Sequence, residues 1–199
     1  MLFIIDIMGI IAFSISGVIE ARRKGMDLIG IFAIALVTSF GGGTLRDLLI
    51  NRRPLFWIEH QEYTIIVLGI SLITTFFFHF KWLQISEKSI IIPDALGLGL
   101  YSATGAAYAL NLNVSPFIAI IMGIISATFG GVIRDIFCNE VPVIFKQGQL
   151  YATCSLFAST AYVFIRLFNI EHYVAAIASI IIASSLRLLA VKYNIKLPI

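Results

Sequence analysis

The chain has 199 residues, of which 59% are hydrophobic and 13% charged, and its mean hydropathy is +0.98. Soluble domains carry about 45–50% apolar and about 25% charged residues, so a water-soluble form of this chain would expose large apolar patches and aggregate. The net charge of +3 sits in short segments between apolar runs, a placement that fits the positive-inside rule and speaks against a nucleic-acid-binding surface.

A membrane-spanning helix needs about 20 mostly apolar residues. Seven segments qualify, running from Leu2 to Ile19, Leu28 to Ile50, Tyr63 to Phe80, Ile90 to Leu112, Pro116 to Phe137, Leu150 to Ile165 and Tyr173 to Val191. The predicted fold is therefore all-α and integral to the membrane, with the lipid bilayer as partner. The N-terminus lacks a basic leader, and Arg22, Arg23 and Lys24 follow the first run, which predicts an uncleaved first helix. Pro54, Pro93, Pro116 and Pro142 fall at or near helix ends, where a missing N–H costs least. Trp57 and Trp82 fall close to span ends, where an amphipathic ring prefers the interface. The joints after spans one, three and five and the C-terminal end collect nine Lys and Arg: Arg22, Arg23, Lys24, Lys81, Lys88, Lys146, Arg187, Lys192 and Lys196. The opposite side collects three, Arg52, Arg53 and Arg166. This asymmetry predicts an outside N-terminus, a cytoplasmic C-terminus and a multi-pass protein of the cell inner (plasma) membrane.

The sequence also repeats itself. A shift of 88 positions superposes Asp6 on Asp94, Gly9 on Gly97, Ser14 on Ser102 and Gly17 on Gly105 without a gap. The same shift aligns Gly42, Gly43, Arg46 and Asp47 with Gly130, Gly131, Arg134 and Asp135, and Asn51, Pro54 and Tyr63 with Asn139, Pro142 and Tyr151. Phe13 with Tyr101 and Ser16 with Thr104 are conservative pairs. Repeat one covers about 1–82, repeat two about 89–168, and a seventh helix at about 173–191 stands outside both. Three spans per copy turn the second copy upside down, and inverted repeats of this kind are a recurrent transporter architecture with a pathway near mid-depth.

The second and fifth spans carry Ser39-Phe40-Gly41-Gly42-Gly43-Thr44-Leu45-Arg46-Asp47 and Ala127-Thr128-Phe129-Gly130-Gly131-Val132-Ile133-Arg134-Asp135. Consecutive glycines disfavour helix by about 1 kcal/mol each relative to Ala. The expectation is that both helices kink or unwind there and turn the carbonyls of Gly41 to Gly43 and Phe129 to Gly131 toward a wet cavity. Close helix packing is the alternative, and it is the reading preferred for isolated glycines such as Gly69 and Gly123. Arg46, Asp47, Arg134 and Asp135 are costly in a membrane and are expected to face protein. The inverted topology places Asp6 near Arg46 at one face and Asp94 near Arg134 at the other, which predicts one charge pair in each half, serving as a gate or as a structural clamp. Ser14, Ser16, Ser102 and Thr104 put small hydroxyls in the middle of spans one and four, where they line a wet path or bond back to their own helices. Cys138 and Cys154 read as small packing residues. His60, His79 and His172 show no metal spacing, and no nucleotide loop or nucleophile triad occurs, so neither a cofactor nor an enzyme activity is expected.

The duplicated glycine stretches, each followed by Arg-Asp in a seven-span chain, resemble the prokaryotic branch of the trimeric intracellular cation channel (TRIC) family, whose duplicated domain also occurs in bacterial putative glycine transporters. The resemblance implies a homotrimer with a pore inside each subunit, and K⁺ or Na⁺ as permeating ion along spans two and five. It also implies a basic residue on the fifth span that takes part in closure, for which Arg134 is the nearest candidate and Arg46 its repeat mate. Animal members centre this region on a lysine, which the present chain lacks. Two functions stay open: a K⁺ channel, and a carrier for a small zwitterion such as glycine working by alternating access. A non-transporting scaffold leaves the glycine runs unexplained.

Overall fold

The computed structural model describes residues 2–79, 87–146 and 150–195. Phe80, Lys81, Trp82 and Lys196, and the side chains of His79 and Lys88, lie outside the described residues. Among the described residues the chain forms seven long helices and one short one. These are α1 (Leu2–Arg23), α2 (Leu28–Leu49), α3 (Phe56–Glu59), α4 (Gln61–His79), α5 (Ile91–Asn111), α6 (Pro116–Phe137), α7 (Tyr151–Leu167) and α8 (His172–Tyr193). Short 3-10 turns at Glu87–Ile90 and Val143–Phe145 complete the set. All seven expected spans are present. The first runs on to Arg23, where the Glu20–Arg23 ion pair at 2.6 Å bridges its last turn.

The sequence punctuates these helices by one recurring device. Asn51, Asn113, Asn139, Asn169 and Asn194 take positive φ just past the ends of α2, α5, α6, α7 and α8, and Gly25 does the same past α1. Reverse hydrogen bonds then satisfy the last carbonyls, such as Arg52 N–H to Asp47 O and Glu140 N–H to Asp135 O, both at 2.8 Å. Asparagine tolerates the left-handed region better than other side chains. At the other ends, Asp27 caps α2 by accepting from Gly30 N–H at 2.8 Å, and Pro116 opens α6 after the cap Ser115.

Among the described residues, four helices, α1, α2, α6 and α8, are long and apolar enough to cross a membrane by length and composition. Large side chains such as Ile29, Ile65, Phe76, Phe117, Phe157 and Ile181 point outward from the bundle, an apolar belt suited to hydrocarbon. Helix α5 is different. It packs against α1, α6, α7 and α8, and most of its residues from Asp94 to Ala109 are buried. A helix sheathed in protein has little lipid to satisfy, so its Gly, Ala and hydroxyl content serves close approach.

The inverted repeat is visible as matched contacts. Gly9 of α1 receives the Tyr101 ring of α5, and Gly97 of α5 receives the Phe13 ring of α1. Those two rings stack at 5.2 Å. Gly17 packs on Ala35 and Thr38 of α2, while its mate Gly105 packs on Met122 and Ser126 of α6. Where α2 crosses α6, a Cβ on Gly42 would collide with the Ser126 carbonyl oxygen, and one on Gly130 with that of Thr38.

Both glycine runs therefore lie within uninterrupted α-helix, contrary to the expected unwinding. The loss of helix propensity is offset by backbone-to-backbone packing that no side chain permits. Gly123 packs against Ser159 and Ser102 as expected, whereas a Cβ on Gly69 would meet no atom of another segment within 4 Å among the described residues.

Gly42→Ala is expected to lower the thermal midpoint in detergent by about 3–10 °C, since overpacking costs typically about 1–3 kcal/mol. Gly69→Ala should hold or raise the midpoint; equal loss in both variants would rule out a special role for the crossing.

Candidate functional site

Each repeat buries one arginine beside one aspartate near the end of its second helix. Arg46 and Asp47 are both fully buried, and Arg46 Nε donates to Asp47 Oδ1 at 2.8 Å. Arg46 Nη2 stands 2.7 Å from the same oxygen without a hydrogen-bond partner of its own. In the second repeat Arg134 Nε donates to Asp135 Oδ1 at 2.9 Å, with Nη2 at 2.8 Å. The second aspartate oxygen has a local task. Asp47 Oδ2 accepts the Phe56 N–H at 2.8 Å and Asp135 Oδ2 accepts the Val143 N–H at 2.9 Å. These are the first N–H groups of α3 and of the Val143–Phe145 turn, so each Arg-Asp pair also clips the returning chain to its helix.

The two halves differ at the predicted charge pairs. Arg134 Nη1 meets Asp94 Oδ1 at 2.8 Å and Ser16 Oγ at 2.7 Å, so the expected Asp94–Arg134 pair is formed. The expected Asp6–Arg46 pair is absent. Tyr108 of α5 intervenes: its hydroxyl donates to Asp6 Oδ2 at 2.6 Å, while its ring lies 4.4 Å from the Arg46 guanidinium and 4.3 Å from that of Arg52. Arg46 Nη1 turns to Ser126 Oγ at 3.3 Å instead, and Asp6 Oδ1 is left buried without a hydrogen bond. Arg52 locks the arrangement through Asp47 at 3.3 Å and Glu59 at 2.7 Å.

The repeat shift explains the difference. The counterpart of Tyr108 is Glu20, which pairs with Arg23, and the counterpart of Arg52 is Glu140. Glu140 binds Lys24 at 2.6 Å and Lys146 at 3.8 Å, tying the joint after α1 to the joint after α6. The Lys24 ammonium holds the Glu140 carboxyl below its ordinary range, and Glu140 raises Lys24 in return.

A cavity of about 270 Å³ opens at this Lys24 end and reaches Asp94, Arg134 and Asp135. Glu20, Arg23 and Lys146 line its mouth with Arg187 of α8. At the opposite, Arg52 end, the Tyr108 ring fills the place between the two guanidinium groups.

Three of the four hydroxyls of the candidate path, those of Ser14, Ser16 and Ser102, are committed to protein. Ser14 shares a hydrogen bond with Ser39 at 2.9 Å, and Ser102 donates to Leu98 O at 2.7 Å while contacting Ser155 at 2.7 Å. Ser16 alone reaches the charged cluster, and Thr104 Oγ is buried without a partner. Gly41, next to Ile133, and Phe129 are half-buried at the α2–α6 crossing. Gly43 and Gly131 give room to Phe56 and Tyr151. Trp57 donates to Thr44 at 3.0 Å and stacks on Phe40, as its predicted place near a span end allows.

As site residues, sequence reasoning passed over Tyr108, Arg52 (counted only for the charge asymmetry), Glu20 and Ser126. The signal for the first three was the failure of the repeat: Tyr108 against Glu20 and Arg52 against Glu140 mark where the two halves part company. Arg187, counted among the end charges, lies inside α8 at 5% exposure.

The comparisons with known proteins agree with this geometry. A family model described as glycine transporter matches residues 3–79 and 91–166, which are the two repeats. The UPF0126 inner membrane protein YadS of Escherichia coli is 30% identical over 98% of this chain and 93% of its own length. The UPF0126 membrane protein YvgT of Bacillus subtilis is 31% identical over 75% of this chain and 73% of its own. Among solved structures, the TRIC trimeric intracellular cation channel orthologue from Rhodobacter sphaeroides superposes with a TM-score of 0.91 at 36% identity, covering 98% of both chains. A prokaryotic TRIC channel in 0.5 M KCl superposes with a TM-score of 0.89 at 33% identity over 97% of this chain and 96% of that one. The chain is a multi-pass membrane protein, not an enzyme, and it belongs to the duplicated-domain family described as glycine transporter, with the fold of the prokaryotic TRIC channels.

Proposed function

We propose that this protein is a monovalent cation channel, selective for K⁺, with its path inside each subunit, and that the structure described above is its closed state. The likeness to TRIC channels over nearly the whole chain carries this reading. The cavity supports it, since it brings water and ions from the Lys24 end to the carboxylates of Asp94 and Asp135. By the positive-inside rule the Lys24 end faces the cytoplasm and the N-terminus lies outside. The inner-membrane description of YadS and the trimeric description of the Rhodobacter sphaeroides channel support an inner-membrane location and a homotrimer for this chain.

The path continues from Arg134 between α1, α2, α5 and α6 past Ser16, Thr104, Ser102 and Ser14 to Asp6. The glycine crossing of Gly41 to Gly43 with Phe129 to Gly131 closes it at mid-depth. Bare glycine surfaces let α2 slide against α6 with little obstruction, so opening is a shear of packed helices. Helical carbonyls stay in their ladders. The cation is then stabilised by Asp6 and Asp94 and by the hydroxyls. Arg46 and Arg134, neutralised by Asp47 and Asp135, set how strongly it is held. Tyr108 is the plug at the far end.

A second reading, a carrier for a small zwitterion, draws support from the description of the matching family model. The inverted repeat suits alternating access, and a cavity open toward the Lys24 end is what one limb of that cycle requires. Discrete K⁺ current steps from the purified protein in a planar bilayer are the expected result. Saturable glycine uptake without unitary currents would replace the channel with the carrier.

Tyr108→Ala should raise the open fraction about tenfold, because a hydrogen bond to a carboxylate and two cation–π contacts that hold the plug are lost. Tyr108→Phe keeps the ring and should fall between; unchanged gating in both removes the plug. Arg134→Ala is expected to alter conductance or open fraction by severalfold, and unchanged flux and selectivity would take Arg134 out of the gate.

A further inference from the structure

The charged groups at the Lys24 end do not cancel. Among the described residues, the cations Arg23, Lys24, Arg134, Lys146 and Arg187 outnumber the carboxylates Glu20, Asp94, Asp135 and Glu140 by one. The ion pairs show where the excess lies. Glu20 holds Arg23 and Glu140 holds Lys24, both at 2.6 Å. Lys146 reaches Glu140 only at 3.8 Å, so its charge is largely spare. Arg134 serves Asp94 and Asp135 together, each at 2.8 Å, which leaves one carboxylate's worth of negative charge over. Arg187 is the second spare cation. It lines the cavity at 5% exposure, has no carboxylate within ion-pair distance, and its Nη1 has no hydrogen-bond partner among the described residues. The Tyr151 ring lies 5.0 Å from its guanidinium, and a ring restores little of the water that a buried guanidinium has lost. Two spare cations against one spare carboxylate leave a single positive charge around a cavity of about 270 Å³.

From this we infer that the cavity binds one small, singly charged anion, seated on the Arg187 guanidinium with the Lys146 ammonium as its second cation. One such anion brings the charge of the cavity to zero. A zwitterion leaves the excess as it is, a cation doubles it, and a dianion reverses it. A guanidinium is weakly hydrated and presents its N–H donors in a fixed fork, which suits an anion that sheds water readily, such as chloride or nitrate. A lipid phosphodiester carries the same charge. To reach Arg187 it has to draw its glycerol and acyl attachment past the charged groups of Glu20 and Glu140, so the free ion from solution is favoured. Helix α8 has no counterpart in the repeat, and the Arg52 end therefore holds no equivalent of Arg187. In the proposed channel, an occupied site removes one positive charge from the entrance that a cation uses. The binding itself does not depend on the channel reading.

The test is a calorimetric titration of chloride into the purified protein in nanodiscs of neutral lipid, with gluconate as the balancing anion at constant ionic strength. Saturable binding is expected, weakened at least about tenfold by Arg187→Gln (about 1.4 kcal/mol) and severalfold by Lys146→Gln. Lys192→Gln, on the exposed end of α8, should bind as the parent does. Nitrate should compete with chloride, sulfate at least about tenfold more weakly, and glycine not at all. Absence of saturable binding, an unchanged affinity in Arg187→Gln, or sulfate or glycine competing as well as nitrate each overturns the inference. If Arg187→Gln does not fold, the competition series on the parent protein decides. Nanodiscs containing phosphatidylglycerol should give the same chloride affinity; loss of chloride binding there would hand the site to a lipid phosphate and overturn the free ion. Currents from the same preparation separate the two readings. Chloride binding without unitary K⁺ currents keeps the anion site and removes the channel, and K⁺ currents without chloride binding do the reverse.

Discussion

Two guanidinium groups taken out of water, those of Arg46 and Arg134, are each met by a carboxylate, and this pairing organises the crossing helices. Arg46 and Arg134 sit at 0% and 3% exposure near the ends of the two crossing helices. Each is neutralised by the aspartate that follows it in sequence. The same aspartate then holds the first N–H of the returning segment, so one residue both compensates a buried charge and turns the chain. Removing one partner of such a pair typically costs about 3–5 kcal/mol, because the other is left uncompensated.

The second constraint is contact between backbones. The repeats meet where Gly42 and Gly130 bring α2 and α6 so close that neither admits a Cβ. Lipid offers no hydrophobic drive for helices to associate, so van der Waals contact and interhelical hydrogen bonds do this work. Gly9 with Tyr101 and Gly97 with Phe13 repeat the logic between α1 and α5. The crossing lies between the two charged clusters, and any movement of α2 against α6 shifts both arginines together. In the proposed channel, packing and gating are therefore properties of one joint.

Symmetry makes the two ends comparable, and its failures make them different. Tyr108 where the other half has Glu20 closes one end over Asp6 and Arg46. Glu20 turns instead to Arg23, and the other end opens as a charged cavity. Arg187, from the helix outside the repeat, adds a charge to that end alone. A chain built of two like halves thereby acquires a direction.

The seven spans, the 88-residue repeat, the inverted topology and the Asp94–Arg134 pair were legible in the sequence, because apolar length, an aligned series of Asp, Arg, Asn and Pro, and an odd span count are local or periodic signals. The glycine runs were legible as special positions, but not their role. Propensity speaks of a single helix in isolation, and Gly42 and Gly130 are kept helical by the backbone of another helix. The absent Asp6–Arg46 pair has the same origin, since only the folded chain brings Tyr108, 102 residues from Asp6 along the chain, between them. The sequence by itself determined which residues cannot face lipid. Which partners they found was decided by side chains arriving from distant helices, and no pattern along one strand of sequence encodes that arrival.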